Sequence, residues 1–178
     1  MVAFFIAQRL LRQNENAKSF HRGAYDRGTL LLISSAVGVG MCLPPAPDYL
    51  GVAPLPIGLA EGAFALAIML LGIGLRLYAA ISLGGYYTAT LRVAEGQRLV
   101  DSGPYSIVRH PGYLGKMLIW AGFGVASGNL VTALLDPAMI VVVSLYRVSV
   151  EERMLVEELG EDYVRYRRRT RRVIPLVY

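Results

Sequence analysis

The chain has one cysteine, two histidines and one tryptophan, and only 17% of its 178 residues are charged. A single cysteine excludes an intrachain disulfide and a cysteine-rich metal site. Cys42, set in an apolar run, reads as a small packing residue. Charge is missing in long tracts: no Asp, Glu, Lys, Arg or His stands between Gly28 and Pro47, between Gly62 and Leu75, or between Met117 and Leu135. Soluble domains carry about 25% charged residues, whereas this chain is 54% hydrophobic with a mean hydropathy of +0.45. A 19.4 kDa chain has too little interior to hide that much apolar surface. Tracts of roughly 20 apolar residues match the bilayer hydrocarbon at helical rise. The absences exclude a water-soluble fold and point to an integral membrane protein.

Punctuation divides the chain. Met1–Leu11 is apolar but too short to cross a bilayer alone; it reads as a surface helix or a partial span, and no cleavage site marks it as a secretory signal. Thr29–Leu43 is the first convincing span, stopped by Pro44-Pro45, and Ile57–Leu83 is the second, stopped by Gly84-Gly85. His110-Pro111 opens a third helix that runs through Ala126 to a turn at Ser127-Gly128-Asn129. Asp136-Pro137 reads as an N-cap followed by a first-turn proline, with a helix to Leu159 ended by Gly160. Such a helix is about 34 Å long, enough to emerge from the lipid. An open sheet edge is excluded in lipid. The fold expected is therefore all-α, a polytopic transmembrane bundle of four spans, or five if Met1–Leu11 enters the membrane. Residues 1–83 would form the N-terminal spans. Residues 84–178 would supply a helical hairpin, a loop and a basic tail that cap the bundle.

Basic residues alternate with the spans. Arg9, Arg12, Lys18, Arg22 and Arg27 precede the first span, and the next loop has no Lys or Arg. Arg92, Arg98 and Arg109 follow the second span, and six arginines lie between Arg165 and Arg172. The positive-inside rule then puts the long polar loop and the C-terminus in the cytoplasm. The short chain and compact loops suggest a prokaryotic inner membrane.

Three polar clusters lie on that side: Gln97–Gly115 (QRLVDSGPYSIVRHPGYLG), Arg147–Glu152 (RVSVEE) and Gly160–Pro175 (GEDYVRYRRRTRRVIP). Their pattern is LV-x-x-G-x-Y, then R-H-P-x-Y-x-G, then R-x(4)-E, then G-x-x-Y-x-x-Y. It runs through Leu99-Val100, Gly103, Tyr105, Arg109–Gly115, Arg147 with Glu152, and Gly160, Tyr163 and Tyr166. In this pattern the chain resembles the isoprenylcysteine carboxyl methyltransferase family and, more broadly, its phospholipid methyltransferase relatives. The resemblance covers roughly Leu83 to Pro175 and implies S-adenosylmethionine held on the cytoplasmic side. It assigns Gln97, Arg98, Leu99, Val100, Tyr105, His110, Pro111, Gly112, Tyr113 and Glu152 to the cofactor and Arg147 to the acceptor. Gln97 departs from the histidine that many prokaryotic relatives carry.

The residues support these roles on their own, more weakly. Proline after His110 fixes a helix start whose free N–H groups and dipole suit a carboxylate. Arg147 lies near the end of a long apolar span, where a cation costs roughly 2–3 kcal/mol or more unless it is paired or snorkelling. Its planar fork suits a carboxylate, which is already the nucleophile at neutral pH. The bland alternative is a surface pair with Glu151, which otherwise reads as a solvated carboxylate. Glu152 lies on a different side of the helix and could meet the cofactor's ammonium. Arg76 either snorkels or forms a wall of the acceptor pocket. Arginines beside Tyr163 and Tyr166 suit anionic headgroups, as Tyr86 and Tyr87 suit an interfacial belt; no nucleic-acid module is recognisable.

The favoured reading is a methyltransferase acting on the carboxylate of a prenylcysteine-like or other lipid-borne acceptor, with Arg147 and Glu152 as catalytic candidates and Arg147 and Arg76 at the acceptor. Phospholipid N-methylation is weaker, because an amine needs a proton sink and gains nothing from an arginine. Small-thiol S-methylation, a sterol-reductase-like protein and a non-catalytic membrane scaffold are the remaining readings.

Overall fold

The computed structural model describes residues 28–42, 50–84 and 99–175. Met1–Leu11, Tyr86, Tyr87, Gln97 and Arg98 lie outside the described residues. Among the described residues four helices follow in order: α1 Thr29–Cys42, α2 Leu59–Leu83, α3 Pro111–Ala126 and α4 Leu130–Arg169, with a short 3-10 turn at Gly103–Ser106 before α3. Among the described residues, extended pairing is limited to two isolated bridges, Pro54 with Asn129 and Val108 with Arg171. The all-helical expectation holds.

Both α2 and α4 are long and apolar enough to cross a membrane. At 14 and 16 residues, α1 and α3 fall short of the roughly 20 that fill the hydrocarbon. The first twenty residues of α4, Leu130 to Ser149, carry only Asp136 and Arg147 as charged side chains, and charged residues dominate from Glu151 onward. Large apolar side chains such as Leu59, Leu66, Leu71 and Val142 are exposed, the outward face expected of helices in lipid.

The start of α4 departs from expectation. The helix begins at Leu130, capped by Asn129, whose Oδ1 accepts from Val131 N at 2.9 Å and Thr132 N at 3.4 Å. Pro137 lies inside the helix and Asp136 is not a cap. Asn129 already offers a cap one turn after α3 ends, and 130–135 contain no helix breaker, so the chain starts the helix early and tolerates one missing N–H at Pro137. The expected stop at Gly160 appears as a sharp bend: Gly160 has φ 56° and ψ −134°, and helical structure resumes to Arg169. A positive φ is open to glycine at little cost.

Small residues join α2 to α3. Ala65, Gly72 and Ala79 form a buried line at heptad spacing on α2. A Cβ added at Gly72 would stand 2.6 Å from the Gly115 carbonyl oxygen, and one at Gly122 would stand 2.6 Å from that of Ala65. The two backbones therefore touch, the packing that small residues permit where no hydrophobic force drives helices together. Next along the interface, Gly115 leaves room for the stem of Arg76.

Gly122→Leu should destabilise the fold by about 1–3 kcal/mol through overpacking. Gly74→Ala, where a Cβ meets nothing within 4 Å, should be neutral or better. Thermal unfolding in detergent checks this; equal melting temperatures for the two variants would refute the close α2–α3 contact.

Candidate active site

The segment between α2 and α3 is tied down at several points. Gly103, at φ 58°, starts the 3-10 turn and packs against Tyr78 and Ser82. The turn buries Pro104 and Tyr105. The Tyr166 hydroxyl donates to the Tyr105 carbonyl at 2.7 Å, reaching across from the helix beyond Gly160. Arg169 pairs with Asp101.

The C-terminal segment then straps this loop. Arg109 N–H donates to the Arg171 carbonyl at 2.8 Å, His110 N–H to that of Arg172 at 3.1 Å, and Arg171 N–H to that of Ile107 at 3.1 Å. Val173 is fully buried with Met117 and Val148, which anchors the strap on α3 and α4. His110 is the residue before the α3 N-terminus, with Pro111 in the first turn. Its carbonyl accepts from Tyr113 N at 3.1 Å and Leu114 N at 3.2 Å. At this helix start His110, Tyr113 and Leu114 donate their N–H groups inside the protein and Pro111 has none, so fewer donors face the loop than the sequence suggests.

Glu152 is the centre of the site, with 5% of its surface exposed. Arg109 Nε meets its Oε1 at 2.7 Å, and His110 Nε2 lies 3.4 Å from the same oxygen. Arg172 Nε stands 3.2 Å from Oε2, with Arg167 at 4.0 Å. Burial pushes the Glu152 carboxyl up, but the contacts and charges of His110 and Arg109 outweigh it and hold the group well below the usual carboxylate range. One carboxylate facing three arginines leaves the cluster net positive. The buried Tyr163 hydroxyl has no hydrogen-bond partner among the described residues.

A second network holds Arg147, which is 4% exposed. Its Nε donates to the Tyr113 hydroxyl at 2.9 Å and its Nη1 to Thr29 Oγ1 at 2.8 Å. Tyr113 donates in turn to Glu151 Oε2 at 2.9 Å. Glu151 is therefore no bystander on the helix surface: Tyr113 joins it to Arg147, and His110 Nδ1 lies 3.9 Å away. Arg76 Nη1 donates to the Gly112 carbonyl at 3.0 Å, so this cation is spent on the first turn of α3.

Of the site residues expected from the sequence, His110, Pro111, Gly112, Tyr113, Arg147 and Glu152 meet where α3 and α4 come together. Tyr105 joins through Tyr166, and Arg76 through Gly112. Leu99 and Val100 are half-buried in the loop. Sequence reasoning did not single out Thr29 or Arg172 for the site, and it read Glu151 as a solvated carboxylate. Thr29 is a start-of-helix threonine with nothing local to mark it, whereas Glu151 and Arg172 lay inside the polar clusters already recognised.

The profile of the isoprenylcysteine carboxyl methyltransferase (ICMT) family matches residues 65–157, more than half of the chain, a span that takes in most of α2, all of α3, and Arg109, His110, Tyr113, Arg147, Glu151 and Glu152. The chain belongs to this family. It is 33% identical over 117 residues to the protein-S-isoprenylcysteine O-methyltransferase B of Arabidopsis thaliana, covering 64% of this chain and 59% of that protein. With the protein-S-isoprenylcysteine O-methyltransferase of Schizosaccharomyces pombe it shares 34% over 116 residues, 64% and 49% of the two chains. A 75-residue stretch is 40% identical to methanethiol S-methyltransferase 2 of Bradyrhizobium diazoefficiens, covering 42% and 27%. The solved structure of a eukaryotic intramembrane Ras methyltransferase ICMT superposes with a TM-score of 0.65 at 20% identity, over 98% of this chain and 62% of that one. This likeness establishes the fold. The chain thus spans about half to three-fifths of the length of these two isoprenylcysteine methyltransferases.

Arg109→Met leaves Glu152 without its shortest contact and should destabilise the protein by about 3 kcal/mol, the usual cost of breaking a buried pair. Arg165→Met, at an exposed pair with Asp162, should cost less than 1 kcal/mol. Parallel thermal melts would contradict the cluster's structural role if both variants lost the same small amount.

Proposed function

We propose that the protein is a membrane-embedded, S-adenosylmethionine-dependent methyltransferase that O-methylates a carboxylate on a prenylcysteine-like or other lipid-borne acceptor. The observation that carries the reading is Arg147, buried at the end of the spanning part of α4 and held by Tyr113 and Thr29. A guanidinium fixed there is suited to receive an anionic headgroup arriving from the lipid.

The Glu152 cluster fits the polar end of the cofactor. Its net positive charge suits a carboxylate, and the buried Tyr163 hydroxyl is left to bond. Leu99, Val100, Tyr105, His110 to Tyr113 and Glu152 would hold it, with Gln97 and Arg98 completing the wall. Because Glu152 already faces arginines, it acts first on the protein: it fixes Arg109, His110 and Arg172, and a cofactor ammonium would share it. S-adenosylmethionine, when bound, supplies a sulfonium methyl group. Arg147 orients the acceptor carboxylate, and the apolar surroundings strip it of water, so no general base is required. Catalysis is then positioning and desolvation.

The bundle would cross the membrane four times, or five with Met1–Leu11, with the loop, the helix beyond Gly160 and the C-terminus in the cytoplasm of a prokaryotic cell. Residues 1–83 would contribute mainly to the acceptor side and 84–178 to the cofactor side. Exposed Arg165, Arg168 and Arg171 would touch anionic headgroups.

The stretch shared with a methanethiol S-methyltransferase favours one second reading, S-methylation of a small thiolate. An acceptor comparison separates the two. Arg147→Ala should lower kcat/KM for S-farnesylcysteine by about a hundredfold, roughly 3 kcal/mol, while affinity for S-adenosylmethionine holds. Radiolabelled methyl transfer to methanethiol but to no carboxylate would replace the favoured reading with the second.

A further inference from the structure

Tyr113 joins more of the site than its hydroxyl shows. The hydroxyl accepts from Arg147 and donates to Glu151, and the ring packs edge-on against His110 with centroids 5.8 Å apart. The face of the ring carries Lys116, whose Nζ stands 5.1 Å from the centroid. Lys116 follows three residues later on the same side of α3. The charges of Arg76, Arg147 and Glu151 all act on its ammonium, yet no hydrogen bond holds it among the described residues. Glu151 is already bonded to Tyr113 and lies beside His110.

Exposure separates the two cations that share this tyrosine. Arg147 is buried, whereas Lys116, Tyr113, Arg76 and Glu151 are each only half-buried. A ligand can therefore reach Lys116 from outside the bundle. Snorkelling explains part of its placement, since the start of α3 is only about 7.5 Å back along the axis. It does not require the ammonium to stand over the tyrosine that holds Arg147. Three cations gathered around one carboxylate favour an incoming anion and repel an amine.

We propose that Lys116 is a second cation of the acceptor site, taking the acceptor's carboxylate on the half-exposed side of Tyr113 while the buried Arg147 orients it. This inference rests on the reading of Arg147 as the acceptor's carboxylate site. The two cations have different tasks. The ammonium is a point charge on a flexible stem and accepts an anion from many directions, whereas the guanidinium is a planar fork already held in place. Lys116 thus sets the preference for an anionic head and the ease of capture, and Arg147 sets the geometry of transfer.

Calorimetric binding of S-farnesylcysteine and its neutral carboxamide to the detergent-purified protein tests this. The wild type should bind the acid at least about tenfold more tightly than the amide. Lys116→Gln should weaken the acid about tenfold and leave the amide and S-adenosylmethionine unchanged, and Lys116→Arg should restore acid binding. In turnover, Lys116→Gln should raise KM for the acid with little change in kcat, the mark of lost binding rather than lost transition-state contact. Should Lys116→Gln fail to fold, Lys116→Met keeps the packing of the stem and carries the same expectation. Acid binding unchanged in these variants, or acid and amide weakened alike, overturns the role of Lys116 alone if Arg147→Ala still weakens the acid. Equal binding of acid and amide by the wild type, or binding of neither while S-adenosylmethionine binds, overturns the carboxylate reading as well.

Discussion

A carboxylate at 5% exposure facing Arg109, His110, Arg172 and Arg167 is the contact on which the rest of the site depends. Each of those groups comes from a different part of the chain: the loop before α3, the helix start, the C-terminal strap and the helix beyond Gly160. Glu152 itself comes from α4. Removing it would set like charges against one another in a region with little water to screen them. The backbone pairing of 107–110 with 171–172 gives the same junction its fixed geometry. The cluster makes a long apolar helix and a basic tail into one site.

The helix interface below it works by contact rather than charge. Ala65, Gly72, Gly115 and Gly122 bring α2 and α3 to backbone distance, which lets Arg76 reach the Gly112 carbonyl and Tyr105 lie over Ala79. Substituting any of these glycines would push the start of α3, and with it His110 and Tyr113, away from α2. Positioning at the site therefore depends on residues with no functional group.

Much of this was legible in the sequence, for identifiable reasons. Charge-free tracts and Gly or Pro punctuation place α1, α2 and α3 within a residue or two of their observed bounds, and Gly160 marks the bend in α4. The N-terminus of α4 was misread because Asp-Pro and Asn129 both offer caps, and local preference does not say which one the chain uses. The motif residues His110, Tyr113, Arg147 and Glu152 come together where α3 meets α4. What each one touches was less visible. Glu152 faces arginines, Glu151 is bonded to Tyr113 rather than solvated, and Arg147 is held from α1 by Thr29, a contact across more than a hundred residues that no local pattern encodes. Spacing along a helix gives the face, but tertiary packing decides the partner.

The central claim is that the Glu152 cluster holds the cofactor. It is tested most directly by titrating S-adenosylmethionine and its demethylated product into the detergent-purified protein by calorimetry. Wild-type protein should bind both, and His110→Ala, which removes a buried polar contact without removing an arginine from Glu152, should bind each at least about tenfold more weakly. Folded wild-type protein that binds neither, or a His110→Ala variant that binds as tightly as wild type, would contradict the account.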